Sequence, residues 1–168
     1  MSYQEKRTIV STIVGMIILA AYCIHASTKQ NLGDAVTGDI KFWAGTILIY
    51  IGIGIVANII VQIVFHIVLS VSIAVKETIE RGQSDDKEIE KRINSDMVED
   101  EMDRLISLKS MRISFFVAGL GFMAGLIAII LNYSAVVMLN ILFITFSGGS
   151  VLEGFAQIYY YRKGVYHV

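Results

Sequence analysis

Long stretches without a charged residue constrain this chain more than any other feature of its sequence. No Asp, Glu, Lys or Arg occurs from Thr8 to Thr28 or from Phe42 to Val75. The stretch from Ile113 to Tyr161 contains a single charge, that of Glu153. As an α-helix the first stretch would be about 31 Å long, which matches the hydrocarbon core of a bilayer. The pattern therefore indicates helices that cross a membrane.

The lengths of these stretches predict four spans. The second stretch, about 51 Å as a helix, is too long for one upright span and too short for two. We therefore predict one tilted helix that continues into the cytoplasm. The third stretch holds two spans separated at "LNYSA", residues 131–135, where Ser134 is a candidate N-cap. The predicted spans are 8–28, 42–67 with an extension to about 81, 112–131 and 135–161.

The predicted fold class is an all-α, polytopic membrane protein with a single membrane domain over residues 1–168. Four transmembrane helices would form two helical hairpins, with a helical cytoplasmic segment at 76–111 between the second and third spans. The overall composition agrees, because 17% of the residues are charged, against about 25% in soluble domains.

The placement of lysine and arginine predicts the orientation. Basic residues precede the first span, fill the segment between spans two and three and follow the fourth, and only Lys29 and Lys41 lie on the other side. Because positive charge is retained in the cytoplasm, we expect both termini there. A cleaved signal peptide is the alternative for the first span, but "CIHAS" matches a cleavage site poorly. We expect the first helix to be kept.

The segment between spans two and three is strongly charged. Residues 76–110 hold 7 basic and 11 acidic residues. Asp85 with Glu88, and Asp96 with Glu99, resemble the capping boxes that begin helices. The acidic cluster around residues 96–103 lacks the spacing of a calcium loop and is typical of a solvated helix face. We predict no metal site.

Polar residues recur at four-residue spacing in spans two and four. In each span the shared pattern is a glycine followed by polar residues at four-residue intervals, which places their side chains on one helical face. It predicts two parallel hairpins related by an axis along the membrane normal. The alternative is that the match arises by chance. The aligned pairs are Gly54 with Gly149, Asn58 with Glu153, Gln62 with Gln157, and His66 with Tyr161.

Small residues predict where the helices approach each other closely. Gly121 and Gly125 form a GxxxG pair in span three, and Gly148 and Gly149 lie within "SGGS" in span four. We expect both sets to serve helix packing. The alternative for "SGGS" is a broken helix that coordinates an ion.

Glu153 is the most informative single residue, because an ionisable group within a span usually faces a partner or a water-filled cavity. We predict an ion pair with Arg112 that holds spans three and four together. The alternative is a protonatable site in a transport path. Asn58, Gln62, His66 and Gln157 are predicted to form hydrogen bonds between helices.

Several classes of function lack support in the sequence. A net charge of −1 gives no basic footprint for nucleic acid. No nucleophile elbow, zinc-protease motif or phosphate loop is present, so we expect neither an enzyme nor a cofactor.

The C-terminal part of the chain, from Asp100 onward, carries a resemblance to a known group. Acidic residues precede a Lys-x-x-Arg that enters a helix, and a Tyr-Tyr-Arg-Lys-Gly run lies close to the C-terminus. This arrangement resembles a family of uncharacterised small bacterial integral membrane proteins with a DERD-like motif before the third span. The family implies four spans and a bacterial plasma (inner) membrane, and it implies no activity. The matching residues are Asp100, Glu101, Asp103, Arg104, Lys109, Arg112, Tyr160, Tyr161, Arg162, Lys163 and Gly164.

Together these features predict a protein that works within the lipid bilayer. We expect a binding or regulatory subunit that packs with itself as a homo-oligomer or with a larger membrane partner. The alternative is a small proton- or ion-coupled transporter or channel that uses Glu153 and the ridge of Asn58, Gln62 and His66.

Overall fold

The computed structural model describes residues 3–31, 39–81 and 100–164, and within them the chain is a four-helix bundle without strands. The helices are α1 (Tyr3–Asn31), α2 (Ile40–Arg81), α3 (Glu101–Ile130) and α4 (Ala135–Lys163). All four are long and apolar enough to cross a membrane. The predicted all-α fold with four spans is confirmed.

The turn between α3 and α4 lies where the sequence predicted it. Asn132 has φ 63°, and its N–H donates to the carbonyl of Ile129 at 3.0 Å while that of Tyr133 donates to Ala128 at 3.0 Å. This pair of bonds is a Schellman motif, and asparagine tolerates the left-handed backbone that the motif requires. Ser134 occupies the N-cap of α4 with extended backbone, but its side chain makes no capping bond.

The predicted cytoplasmic segment, residues 76–111, is described only at its two ends. α2 is helical through Arg81, and α3 begins at Glu101 with Asp103 accepting a bond from the backbone N–H of Asp100 at 3.2 Å. The predicted capping boxes at 85–88 and 96–99 lie outside the described residues.

Glycines let α3 and α4 interlock. A side chain at Gly121 would collide with Thr145, and a Cβ at Gly125 would lie 3.1 Å from Met138. On the other helix, a Cβ at Gly149 would lie 3.1 Å from the backbone oxygen of Ser114. The predicted small face is therefore a close contact, in which Gly121 and Gly125 accept side chains of α4 and Gly149 accepts the backbone of α3, as is usual for helices that associate in lipid.

The "SGGS" stretch does not break α4, which is helical throughout residues 135–163. Its two glycines have different surroundings. Gly149 is buried, whereas nothing lies within 4 Å of a Cβ built at Gly148. The predicted packing role of Gly148 is not observed, because adjacent residues point about 100° apart around a helix.

α1 packs against another side of α4, so α4 lies between α1 and α3. A side chain at Gly154 would collide with Thr12, and a Cβ at Gly15 would contact Val151 at 3.5 Å. Gly149 and Gly154 thus point to opposite neighbours of α4.

At the end away from the termini, aromatic residues form a small core. Tyr22 and Trp43 are 0% and 1% exposed and pack with Val136 and Phe143. The Tyr22 hydroxyl donates to the Oδ1 atom of Asn140 at 2.8 Å. Asn140 thus supplies the polar partner that lets the Tyr22 hydroxyl be buried.

α2 is the least enclosed helix. None of the most apolar window of its span, within Ile40–Val68, is buried, and Cβ atoms built at Gly45, Gly52 and Gly54 would meet nothing within 4 Å. Its 42 residues amount to about 63 Å of helix, longer than a bilayer core is thick.

Candidate functional site: a polar cavity within the bundle

A polar cavity of about 300 Å³ lies in the half of the bundle that carries both termini. α1, α3 and α4 form most of its wall, and α2 contributes one residue. We call it the polar cavity. Its lining consists of Gln4, Arg7, Thr8, Ser11, Thr12, Gly15, Asn58, Asp103, Ser107, Ser150, Val151, Glu153, Gly154, Gln157 and Tyr161.

One face of α1 supplies hydroxyl and amide groups to this cavity. Gln4, Thr8 and Thr12 follow one another at four-residue intervals, and Ser11 lies three residues after Thr8, so the four share one side of the helix. The sequence analysis did not identify them. The polar residues at helical spacing in this otherwise apolar span could have indicated a polar face on α1. Their spacing does not show which helix that face contacts.

Glu153 and Gln157 extend from α4 into the same space. The Thr8 hydroxyl donates to Gln157 Oε1 at 3.3 Å, and Gln157 Nε2 donates to Glu153 Oε1 at 3.4 Å. Both distances are at the long end for hydrogen bonds, so each contact is weak. Glu153 is half-buried. Its carboxylate therefore faces a cavity with only a weak amide contact.

The structure does not bring Arg112 to Glu153. Gly149 packs at Ser114, so in the antiparallel hairpin Glu153 lies level with Ser110. Ser110 is 0% exposed and faces inward. Arg112, two residues later, points about 200° away around α3 and is exposed. No ion pair joins the two side chains, both of which are described.

The predicted ridge on α2 reaches the cavity at one position. The Ser11 hydroxyl donates to Asn58 Oδ1 at 2.7 Å, and Asn58 Nδ2 donates to the carbonyl of Gly54 at 3.0 Å. Gln62 and His66 are exposed and line neither the polar cavity nor the crevice described below. The four pairs of the predicted repeat are therefore not equivalent, because α4 is enclosed by two helices and α2 is not.

The charges that line the polar cavity leave a negative balance. Arg7 is the basic residue of the lining, and Asp103 and Glu153 are the acidic ones, which gives a net charge of −1 when all are ionised. Close to this end of the bundle, Arg162 Nε lies 3.5 Å from Glu5 Oε1 and joins α4 to α1. That ion pair neutralises two further charges near the cavity. Such a lining favours a ligand with one positive charge.

No group of three His, Cys, Asp or Glu residues within 3–31, 39–81 and 100–164 is arranged to hold a metal ion. The hydroxyl and amide groups of the cavity can instead orient a small polar group through hydrogen bonds.

A second cavity, of about 500 Å³, lies between α1, α2 and α4. We call it the apolar crevice. It shares Gly15, Asn58, Ser150 and Val151 with the polar cavity, so the two spaces adjoin. The rest of its wall is formed by Ile18, Leu19, Ile47, Tyr50, Ile51, Gly54, Leu139, Leu142, Phe143, Phe146 and Ser147.

The fold and these cavities define the class: a four-helix bundle with helices able to span a membrane and a polar cavity among them. No protein-family model, curated protein or solved structure matches the chain, so its class rests on its own geometry.

Proposed function

We propose that the protein lies in the bacterial plasma membrane with both termini in the cytoplasm and the polar cavity on the cytoplasmic side. The distribution of lysine and arginine supports this orientation. The resemblance of the C-terminal part of the chain to small bacterial membrane proteins supports the location.

Within that membrane, the protein acts as a small transporter whose polar cavity binds a monovalent organic cation beside Glu153. The observation that carries the proposal is the position of Glu153, which lines the cavity and is not paired with Arg112. A carboxylate within a span is costly, and it is usually retained where it meets a substrate or an ion. The net negative lining supports a cation as that substrate.

A role as a membrane subunit is the second candidate, and the exposure of α2 favours it. Exposed apolar side chains between Leu48 and Val68 cover every side of this helix except the one that faces α1 and the crevice. A partner helix could cover them, although lipid covers such side chains equally well. The cavity makes transport the stronger proposal.

The experiment is the binding and uptake of tetramethylammonium by the full-length protein, in nanodiscs and in proteoliposomes. Glu153→Gln keeps the size of the side chain and removes its charge. We expect its affinity for the cation to fall about tenfold or more, the change expected when ~1.4 kcal/mol of binding free energy is lost. Uptake should fall with it.

Arg112→Gln is the matched control, since it also removes one charge but at an exposed position outside the cavity. We expect its binding and uptake to equal those of the wild type. If Glu153→Gln folds and retains the wild-type affinity, or if the wild type binds no tetramethylammonium, the proposed cation site is wrong.

A further inference from the structure

The apolar crevice adjoins the polar cavity, and their union has the form of a site for an amphipathic molecule. Four residues, Gly15, Asn58, Ser150 and Val151, belong to both walls. Beyond them, one space is lined mainly by hydroxyl, amide and charged groups and the other mainly by aliphatic and aromatic side chains. A molecule that filled both would place its polar group near Glu153 and its apolar part toward Leu142.

We propose that the substrate is an amphipathic amine or quaternary ammonium compound, whose charged head binds in the polar cavity while its single alkyl chain lies in the apolar crevice. This inference rests on the proposed function, and it adds the class of substrate and a second subsite. The crevice contributes no charged residue. The charged head of the substrate would therefore interact with the charged residues of the polar cavity, which are Arg7, Asp103 and Glu153.

The volume and charge of the site favour an amphipathic cation over a partner helix or a phospholipid. A volume of about 500 Å³ is within the range of pockets for small ligands, roughly 300–1,000 Å³. A partner helix, about 10 Å in diameter with its side chains, would need a much larger groove. A phospholipid would bring a phosphate anion toward Asp103 and Glu153, where the lining is already negative.

The crevice also has a route from the bilayer. Ile51 and Phe146, which belong to its wall on α2 and α4, are 45% and 61% exposed. The alkyl chain of a substrate dissolved in lipid can therefore enter the crevice laterally, between α2 and α4. Since the bilayer is as apolar as the crevice, binding there orients the alkyl chain and adds little hydrophobic free energy.

The test compares dodecyltrimethylammonium with tetramethylammonium, which has the same charge and no chain. Binding is measured in nanodiscs that hold the full-length protein, with empty nanodiscs subtracted to remove partition into lipid. Leu142→Trp enlarges a side chain that lines the crevice and does not line the polar cavity. We expect it to weaken binding of the long-chain probe about tenfold and to leave that of tetramethylammonium unchanged.

Leu152→Trp is the matched control, because Leu152 is an exposed residue of α4 outside both cavities. It should bind both probes as the wild type does. A photoreactive diazirine at the end of the alkyl chain gives a second readout in the unaltered protein. We expect it to label Ile47, Leu142 or Phe146.

The outcomes separate the two proposals. If Leu142→Trp weakens both probes equally or neither, or if the diazirine labels no residue of the crevice, the amphipathic substrate is wrong while the cation site can stand. If Glu153→Gln binds tetramethylammonium as the wild type does, the cation site fails, whatever the crevice variants show.

Discussion

The two pairs of consecutive helices are built differently. α3 and α4 interlock through Gly121, Gly125 and Gly149, and a tight turn at 131–134 joins them. α1 and α2 touch through the aromatic core at one end, through the rings of Tyr3 and Phe65 at the other, and through the hydrogen bond from Ser11 to Asn58 between them. The glycines of α2 face open space.

The difference shows what stabilises helix pairs when lipid replaces water. Apolar surface alone does not draw helices together in a bilayer, because lipid chains are as apolar as leucine. Association depends on close contact, which glycine allows, and on hydrogen bonds. α2 is rich in Ile and Val and presents no glycine to a neighbour, so its apolar surface does not fix its position.

The largest effect should follow from filling the α3–α4 contact. Gly149→Leu would force a side chain against the backbone of Ser114, and we expect a loss of about 1–3 kcal/mol in the free energy of unfolding, as for other overpacked cores. Gly148→Leu is the matched control, and it should cause no loss because that position faces open space. Unfolding in mixed micelles measures both. Equal losses would show that the hairpin does not depend on this contact.

A smaller effect is expected where α1 meets α4. Gly154→Ala places a methyl group against Thr12, and we expect a loss of about 1 kcal/mol, the low end for overpacking. Thr12→Ala in the same chain removes the hydroxyl and methyl groups that collide, and it should restore part of the stability. A double-mutant cycle measures that coupling. Additive losses would contradict the direct contact between these residues.

The smallest effect concerns the α1–α2 pair. Ser11→Ala removes the bond to Asn58, and a hydrogen bond between membrane helices is worth about 0.6 kcal/mol. Ser27→Ala is the control, since that hydroxyl bonds only within α1, to the carbonyl of Ile24. Thermal unfolding of the two variants gives the difference. If Ser11→Ala lost as much stability as Gly149→Leu, the α1–α2 pair would depend on its contacts as strongly as the α3–α4 pair does, which would contradict the difference described above.

Local sequence features predicted the fold. The lengths of the stretches without charged residues predicted four helices, and Asn132 and Ser134 lie in the turn that "LNYSA" indicated. The spacing of Gly121 and Gly125 predicted a close face. These predictions succeeded because length, spacing and turn chemistry are properties of a short segment.

The site was predicted only in part, since it depends on how the helices are rotated against each other. Glu153, Gln157 and Asn58 were identified, and they share one cavity. The hydroxyl face of α1 was missed, and the outward direction of Arg112 was not foreseen. Both follow from the contact of Gly149 with Ser114 and of Gly154 with Thr12, which residue spacing within one helix does not reveal.

The two glycines of α4 have a mechanical consequence. Because Gly149 fits against α3 and Gly154 against α1, turning α4 about its axis would disengage both neighbours at once. We therefore expect α1, α3 and α4 to move together, and a displacement of α2 to be the least costly movement that could open the crevice or close it.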